Sequence, residues 1–329
     1  DCLKEKYPSD RQSSGQTGKL VGECFRIAVA NWDEEYIYGK VDSSEYTDVK
    51  VCYVRGNKFY PFDWSYLKDY LYVGAQVNLV RPRDEEGILY PELIIIEPDY
   101  LVDISSAAAC FEDYATTPFN YLLNKIKPSP NTEPVLLGNF AGQLLDEEVR
   151  NDTEENSYKK SVNEFFKKNA MGLLTAKMNG GFHDEAKRQK QNIRNAIKVD
   201  LPSMVSSFNP EEVILEPSFF SEMLGLQGRM DLLQLDHRFL IEQKSGKGGY
   251  PQKDPNTPEV QEKHYVQMLL YVLLLRYNYR EQYERNNHEL QEFLLYSKYK
   301  NSLVGLGFAP RLIFEAIKVR NGIAWSEIQ

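Results

Sequence analysis

The chain changes its pattern near residue 101, and that change restricts the fold more than any other feature. Upstream, short β-type runs at 20–30, 36–41, 49–54, 75–80 and 89–95 are broken by turn residues. Downstream, longer stretches with helical spacing alternate with a few strand-like runs. At roughly 150 residues per domain, 329 residues favour two domains. The boundaries expected from this reading are a polar tail at 1–18, a first domain at 19–101 and a second at 102–329. The tail contains Ser13, Ser14, Gly15 and Gly18 and too few large apolar residues to repay its ordering entropy.

In the first domain a short helix at 64–71 falls between the third and fourth runs. Five strands with a helix after the third is the order of an OB-type β-barrel, which often holds single-stranded nucleic acid. Other small barrels share such runs, and a protein-docking role fits the same pattern. In the second domain helices are expected at 105–125 and 138–149, and over 158–198 with a break at Gly180-Gly181. Strands are expected at 213–216, 229–235, 239–243, 293–296 and 312–319, with a helix at 259–279. The longest apolar run, 268–275, is far shorter than the ~20 residues of a membrane span. The chain opens on Asp1 with no signal-type segment behind it, so it reads as a piece of a cytoplasmic protein, nucleoid-associated if bacterial.

Net charge enters as an objection. The chain carries 39 Lys+Arg against 48 Asp+Glu, a formal −9, which taken alone disfavours a nucleic-acid partner. Local charge reverses this over 158–198, where ten Lys and Arg face Glu164, Asp184 and Glu185, or 10 − 3 = +7. That stretch reads either as a solvated helix face or as a patch that tracks phosphates.

The most informative segment is Gly228 to Lys244, two strand-like runs around the polar turn Asp236-His237-Arg238. With the turn centred between Asp236 and His237, Asp231 and Glu242 lie opposite each other on one face. Opposed carboxylates ~5 Å apart repel unless something positive lies between them. A divalent cation fits that position, and oxygen donors suit Mg²⁺ or Mn²⁺ better than zinc. Lys244 shares the face of Glu242 by strand alternation and can orient a water beside the metal. The same string also arises as solvated pairs on an exposed hairpin. Farther on, His264, Gln267 and Tyr271 share one face of a helix that becomes apolar all round. Gln267 and Tyr271 either serve this site or satisfy each other.

Gly228-x-x-Asp231, Glu242-x-Lys244 and Gln267-x-x-x-Tyr271, in this order, resemble the motif set of RecB-type PD-(D/E)XK nucleases. The likeness is greatest to the OB-plus-nuclease portion of eukaryotic replication helicase–nucleases, which trim 5′ flaps and resect ends. It runs from about Leu20 to Arg320 and includes Leu215-Glu216, Gly225 to Asp231, Ile88 to Leu93 and Leu294-Leu295-Tyr296. It implies an α/β (α+β) chain: an OB-type barrel followed by a restriction-endonuclease-like αβββαβ core with extra helices. It further implies that Asp231, Glu242 and the backbone carbonyl of Gln243 bind Mg²⁺ or Mn²⁺, and that Lys244 acts on the attacking water. Glu216, Arg229, His264, Gln267 and Tyr271 would support the site and position DNA. Single-stranded or flap DNA is the implied substrate, with a superfamily 1 helicase domain C-terminal in the full-length protein.

Two departures qualify the likeness. Where the family has Gly-Thr-x-x-His, with a metal-binding His, this chain has Gly138-Asn139-Phe140-Ala141-Gly142-Gln143, which leaves Gln143 or Asp146 near the site. A non-catalytic module that binds single strands is therefore the alternative. Of the relatives' four cluster-binding cysteines only Cys110 has a counterpart, since Cys2, Cys24 and Cys52 are scattered upstream. No iron–sulfur cluster is expected, and Cys110 reads as an ordinary buried thiol.

Overall fold

The structure is a computed structural model and describes residues 18–41, 48–54, 60–112, 115–128, 130–150, 157–178 and 180–329. The expected tail, apart from Gly18, and Cys2 lie outside them.

The N-terminal strands are β1 (Lys19–Leu20), β2 (Cys24–Trp32), β3 (Tyr36–Lys40), β4 (Asp48–Cys52), β5 (Gln76–Val80), β6 (Arg83–Glu85), β7 (Ile88–Tyr90) and β8 (Leu93–Ile96). They form one eight-stranded sheet in the order β1-β6-β7-β4-β3-β2-β5-β8. All its pairs are antiparallel except β4 with β7. In hydrogen-bond order the sheet is open, so no closed barrel is formed among the described residues. The expected run at 89–95 is split because Pro91, which has no N–H to give a ladder, separates β7 from β8. The helix expected at 64–71 is a single 3₁₀ turn, Ser65–Asp69.

Past the boundary come β9 (Val102–Asp103), α1 (Ile104–Ala108), the small hairpin β10 (Phe111–Glu112) and β11 (Ala115–Thr116), and α2 (Phe119–Ile126). The single helix expected at 105–125 is thus two, separated by a hairpin. α3 (Glu133–Val149), α4 (Ser157–Lys168), α5 (Ala170–Thr175), α6 (Phe182–Asn195) and α7 (Leu201–Met204) follow. α3 begins five residues earlier than expected, where Pro134 can occupy the first turn.

The remaining strands are β12 (Val213–Leu215), β13 (Ser218–Ser221), β14 (Leu226–Arg229), β15 (Leu232–Gln234), β16 (Phe239–Lys244), β17 (Gln291–Tyr296) and β18 (Leu303–Gly305), interleaved with α8 (Glu262–Asn278), α9 (Arg280–Arg285) and α10 (Pro310–Ile328). A five-stranded sheet runs β12-β15-β16-β17-β18, with only β16 and β17 parallel and α8 making their crossover. β13, β14 and β9 form a separate three-stranded sheet. The expected strand at 229–235 is interrupted at Met230-Asp231, where the chain passes from one sheet to the other. The strand expected at 312–319 is part of α10. Its buried residues Leu312, Ile313, Ala316, Ile317, Arg320 and Ala324 recur at three- and four-residue intervals, and helical period outweighs the β-branched content.

Alternation along β16 decides what each face meets. Phe239 and Ile241 pack with Leu136 and Phe140 of α3 and Phe165 of α4, whereas Leu240 packs with Met268 and the rest of α8. Glu242 and Lys244 share the face of Leu240, so they project towards α8. The α8 core also holds Ile27, Val77, Leu79 and Ile94 of the N-terminal sheet, so one continuous core crosses residue 101. No helix among the described residues is long and apolar enough to cross a membrane.

Candidate active site

β15 and β16 pair Leu232 with Ile241 and Leu233 with Leu240, the register that sets Asp231 against Glu242. Asp231 follows directly on the break between β14 and β15, and its Oδ2 accepts the Gln243 N–H at 2.6 Å. Its carbonyl accepts the N–H of Glu216 at 2.9 Å. Glu216 has φ +50°, a left-handed backbone that non-glycine residues adopt at a cost of order 1 kcal/mol.

Glu242 is 5 % exposed. Its Oε1 accepts Lys244 Nζ at 2.9 Å and Gln267 Nε2 at 2.7 Å, while its Oε2 is buried with no partner among the described residues. Lys244 Nζ also donates to Gln267 Oε1 at 2.8 Å, so the three side chains close a ring of hydrogen bonds. Tyr271, one turn along α8, donates to the Arg229 carbonyl at 2.7 Å and fixes the strand leading into Asp231. The Ser105 hydroxyl of α1 accepts Gln267 Nε2 at 3.1 Å. The direct bond from Gln267 Nε2 to the Tyr271 hydroxyl is the longest of these contacts, at 3.4 Å.

Burial and the neighbouring Asp231 charge push the Glu242 carboxyl up to about 7, against the opposing pull of Lys244. Burial also raises Asp231, with Glu216 adding to the effect and Gln243, Lys244 and Arg229 resisting it. Asp146 of α3, absent from the principal sequence-derived set, is pushed up to about 6 by burial and by the charges of Glu216 and Asp231. A third acidic side chain thus feels the same field. Gln143 lines the cleft, but its amide is engaged by Glu147 at 2.8 Å and the Ser161 carbonyl at 3.2 Å.

Above these groups opens a cleft of about 680 Å³, lined by Asp231, Lys244, Glu216, Arg229, His264 and Asn169 among others. Glu242 lies just beneath that lining. Arg229 is largely exposed and lies 3.6 Å from Glu216. His264 bonds through Nδ1 to the Tyr296 hydroxyl at 2.8 Å, and burial together with Lys244 and Lys263 pushes it down to about 3. It offers the cleft a neutral ring. Cys110 is fully buried, its thiol pushed up to about 11 by burial, and it contacts the Ser106 carbonyl.

The donor set can be tested against a divalent metal. No group of three or more His, Cys, Asp or Glu side chains among the described residues is arranged to hold one. Two opposed carboxylates are present, with an unpartnered buried oxygen on one and both pKa values raised by burial and like charge. A cation between them would relieve both, and hard oxygen donors match Mg²⁺ or Mn²⁺. The residues therefore fit such an ion through Asp231 and Glu242.

Among known proteins, the chain resembles a crystal structure described as "Putative exonuclease" from Eubacterium rectale, with 12% identity over 68% of this chain and 80% of that one and a TM-score of 0.40. No curated protein matches it. The family model for the PD-(D/E)XK nuclease superfamily matches residues 106–309, well over half of the chain, and spans every acidic and basic residue of the cleft named above. The chain belongs to the PD-(D/E)XK nuclease superfamily.

Proposed function

We propose that the chain is a divalent-metal-dependent deoxyribonuclease that hydrolyses phosphodiester bonds in single-stranded or flap DNA. The observation that carries this is the junction of Asp231, Glu242 and Lys244 at the floor of a cleft, with a buried Glu242 oxygen left free. When bound, Mg²⁺ or Mn²⁺ would polarise the phosphate and stabilise the charge that develops on it. Asp231 and Glu242 would hold the ion, with the Gln243 carbonyl as a further donor. Lys244, kept in place by Glu242 and Gln267, would orient the attacking water. Tyr271 keeps Asp231 in register by gripping the Arg229 carbonyl.

The N-terminal sheet supports an OB-type reading. β7 and β8 are consecutive and pair with β4 and β5 respectively, so the chain itself spans from one side of the sheet to the other across Pro91-Glu92. We infer that this unit guides a strand to the cleft. Likeness to helicase–nucleases supports a superfamily 1 helicase as working partner and a role in cytoplasmic or nucleoid DNA replication and repair. The test is incubation with labelled single-stranded, flap and blunt duplex DNA in Mg²⁺ or Mn²⁺. Cleavage of the first two, with the duplex resistant, is expected, and preference for the duplex overturns the substrate assignment.

The second reading, a non-catalytic single-strand-binding module, draws on the absence of a three-ligand acidic or imidazole group around the pair. It predicts binding without cleavage in any divalent metal, unaffected by Glu242→Ala.

A further inference from the structure

Beside the catalytic cleft lies a second cavity of about 810 Å³ that the chemistry described so far does not use. Lys247 lines both cavities, so they adjoin at that residue. Around the second, Arg188 of α6, Lys247, Lys298 and Lys300 supply four cationic groups, and no Asp or Glu contributes to the lining. Arg188 is paired with Glu185, but Lys247, Lys298 and Lys300 have no carboxylate partner among the described residues. In a chain of net charge −9 an acid-free pocket of this kind stands apart from the surrounding surface. Tyr250 stands at its rim and is 93 % exposed, which leaves both ring faces open.

The loop carrying these groups is tied down rather than loose. Gly248 N–H donates to the Tyr299 hydroxyl at 2.9 Å, and Gly249 N–H to the Glu259 carbonyl at 2.6 Å. Gln261 Nε2 donates to the carbonyls of Lys247 and Gly248 at 2.9 and 3.1 Å. Asp254 caps its own turn through Asn256 N–H and the Thr257 hydroxyl. Gly248 is packed so closely that a Cβ there would lie 2.5 Å from the Glu259 carbonyl. The cations and the ring are thus presented in a fixed arrangement before any ligand arrives, which lowers the ordering cost of binding.

We propose that this pocket is a subsite for single-stranded DNA, in which Lys247, Lys298, Lys300 and Arg188 hold backbone phosphates and Tyr250 stacks an unpaired base of the strand that passes through the cleft. The inference rests on the nuclease reading and adds to it the path of the strand. Phosphates spaced along a strand match separated cations, and a bare tyrosine face accepts any base without reading sequence. A base held in a duplex cannot reach the ring, so the subsite selects unpaired strands.

The test is binding of a fluorescent single-stranded oligonucleotide to the whole chain in EDTA, beside cleavage in Mg²⁺. Tyr250→Ala is expected to weaken single-strand binding on the order of tenfold, with Tyr250→Phe close to the parent and duplex binding little changed. A Lys298→Ala, Lys300→Ala double variant is expected to lower the salt slope of log K by about 1.4, at roughly 0.7 per phosphate contact. Lys300 is exposed and Lys298 half-buried, and circular dichroism of the double variant verifies its fold. Unchanged affinity and salt slope in these variants, while the parent binds and cleaves, overturns the subsite and leaves the nuclease reading intact. A parent that binds strands but cleaves nothing, with the variants impaired, upholds the subsite and removes the nuclease reading. Equal losses for duplex and single strand overturn the stacking role.

Discussion

At the scale of single residues, the site is a contest between burial and charge. Glu242 is held in a place that disfavours its ionised form, and its folded pKa of about 7 stands above the ordinary carboxylate value near 4.5. A raised carboxyl contributes stability below its unfolded pKa and loses it as pH rises through the folded one. Metal-free protein carrying Glu242→Gln should therefore gain stability relative to the parent between pH 5 and pH 8, measured by urea unfolding in EDTA at each pH. A constant difference across that range would contradict the electrostatic account. Tyr271→Phe leaves the Arg229 carbonyl without its 2.7 Å donor, which should cost about 1 kcal/mol and lower cleavage more than binding. Gly228 has no room for a methyl group, since a Cβ would lie 2.8 Å from the Tyr271 ring. Gly228→Ala is thus expected to displace the tyrosine and reduce cleavage, read as a lower kcat with the far-UV spectrum retained.

At the scale of elements, α10 performs a task for which the sequence gives little sign. Arg320 is fully buried and has no carboxylate partner within salt-bridge distance among the described residues; its guanidinium donates instead to the carbonyls of Ile96, Glu97, Tyr100 and Gly225. Asn321 accepts the Ile96 N–H at 3.1 Å and donates to the Ile94 carbonyl at 2.8 Å, so one side chain pairs the open edge of β8 as a strand would. Burial pushes the Arg320 guanidinium down to about 9, with the nearby Glu97 charge among the groups that oppose the shift. Arg320→Met should destabilise the chain by at least about 3 kcal/mol, because several buried carbonyls lose their donor at once, and calorimetry would show the fall in Tm. What could be read from the sequence here follows the same physics. The β15–β16 register was legible because a short polar turn fixes it, and α8 because its apolar run leaves no solvated face. The α10 helix was misread as a strand because its β-branched residues mask a helical period, and β13 was missed because it is short and partly polar. The split of the run at 89–95 into β7 and β8 was not legible because a strand interrupted by proline looks continuous in a hydropathy pattern.

At the scale of the whole molecule, one apolar core runs from Ile27 of the N-terminal sheet through α8 to Ile323 of α10. The boundary near 101 marks a change of pattern and not a gap in packing, so the described parts are expected to melt together in a single calorimetric transition. Two separated transitions would contradict that coupling. Charge divides differently from packing: acids gather at the cleft floor while lysines are displayed on α4 and α6, many of them exposed. From the sequence Asp146 was only one of two candidates, with Gln143, to lie near the site, because its helix alone does not decide between them. Only the fold brings it into the field of Asp231 and Glu216. The central claim is that Asp231, Glu242 and Lys244 carry phosphodiester hydrolysis. Its most direct test compares the parent with Glu242→Ala and Lys244→Ala on labelled single-stranded DNA in Mg²⁺, with circular dichroism to verify the fold. Cleavage by the parent and a loss of at least about a hundredfold in both variants is the expected result. Cleavage that persists undiminished in folded variants, or a parent that cleaves nothing in any divalent metal, would contradict it.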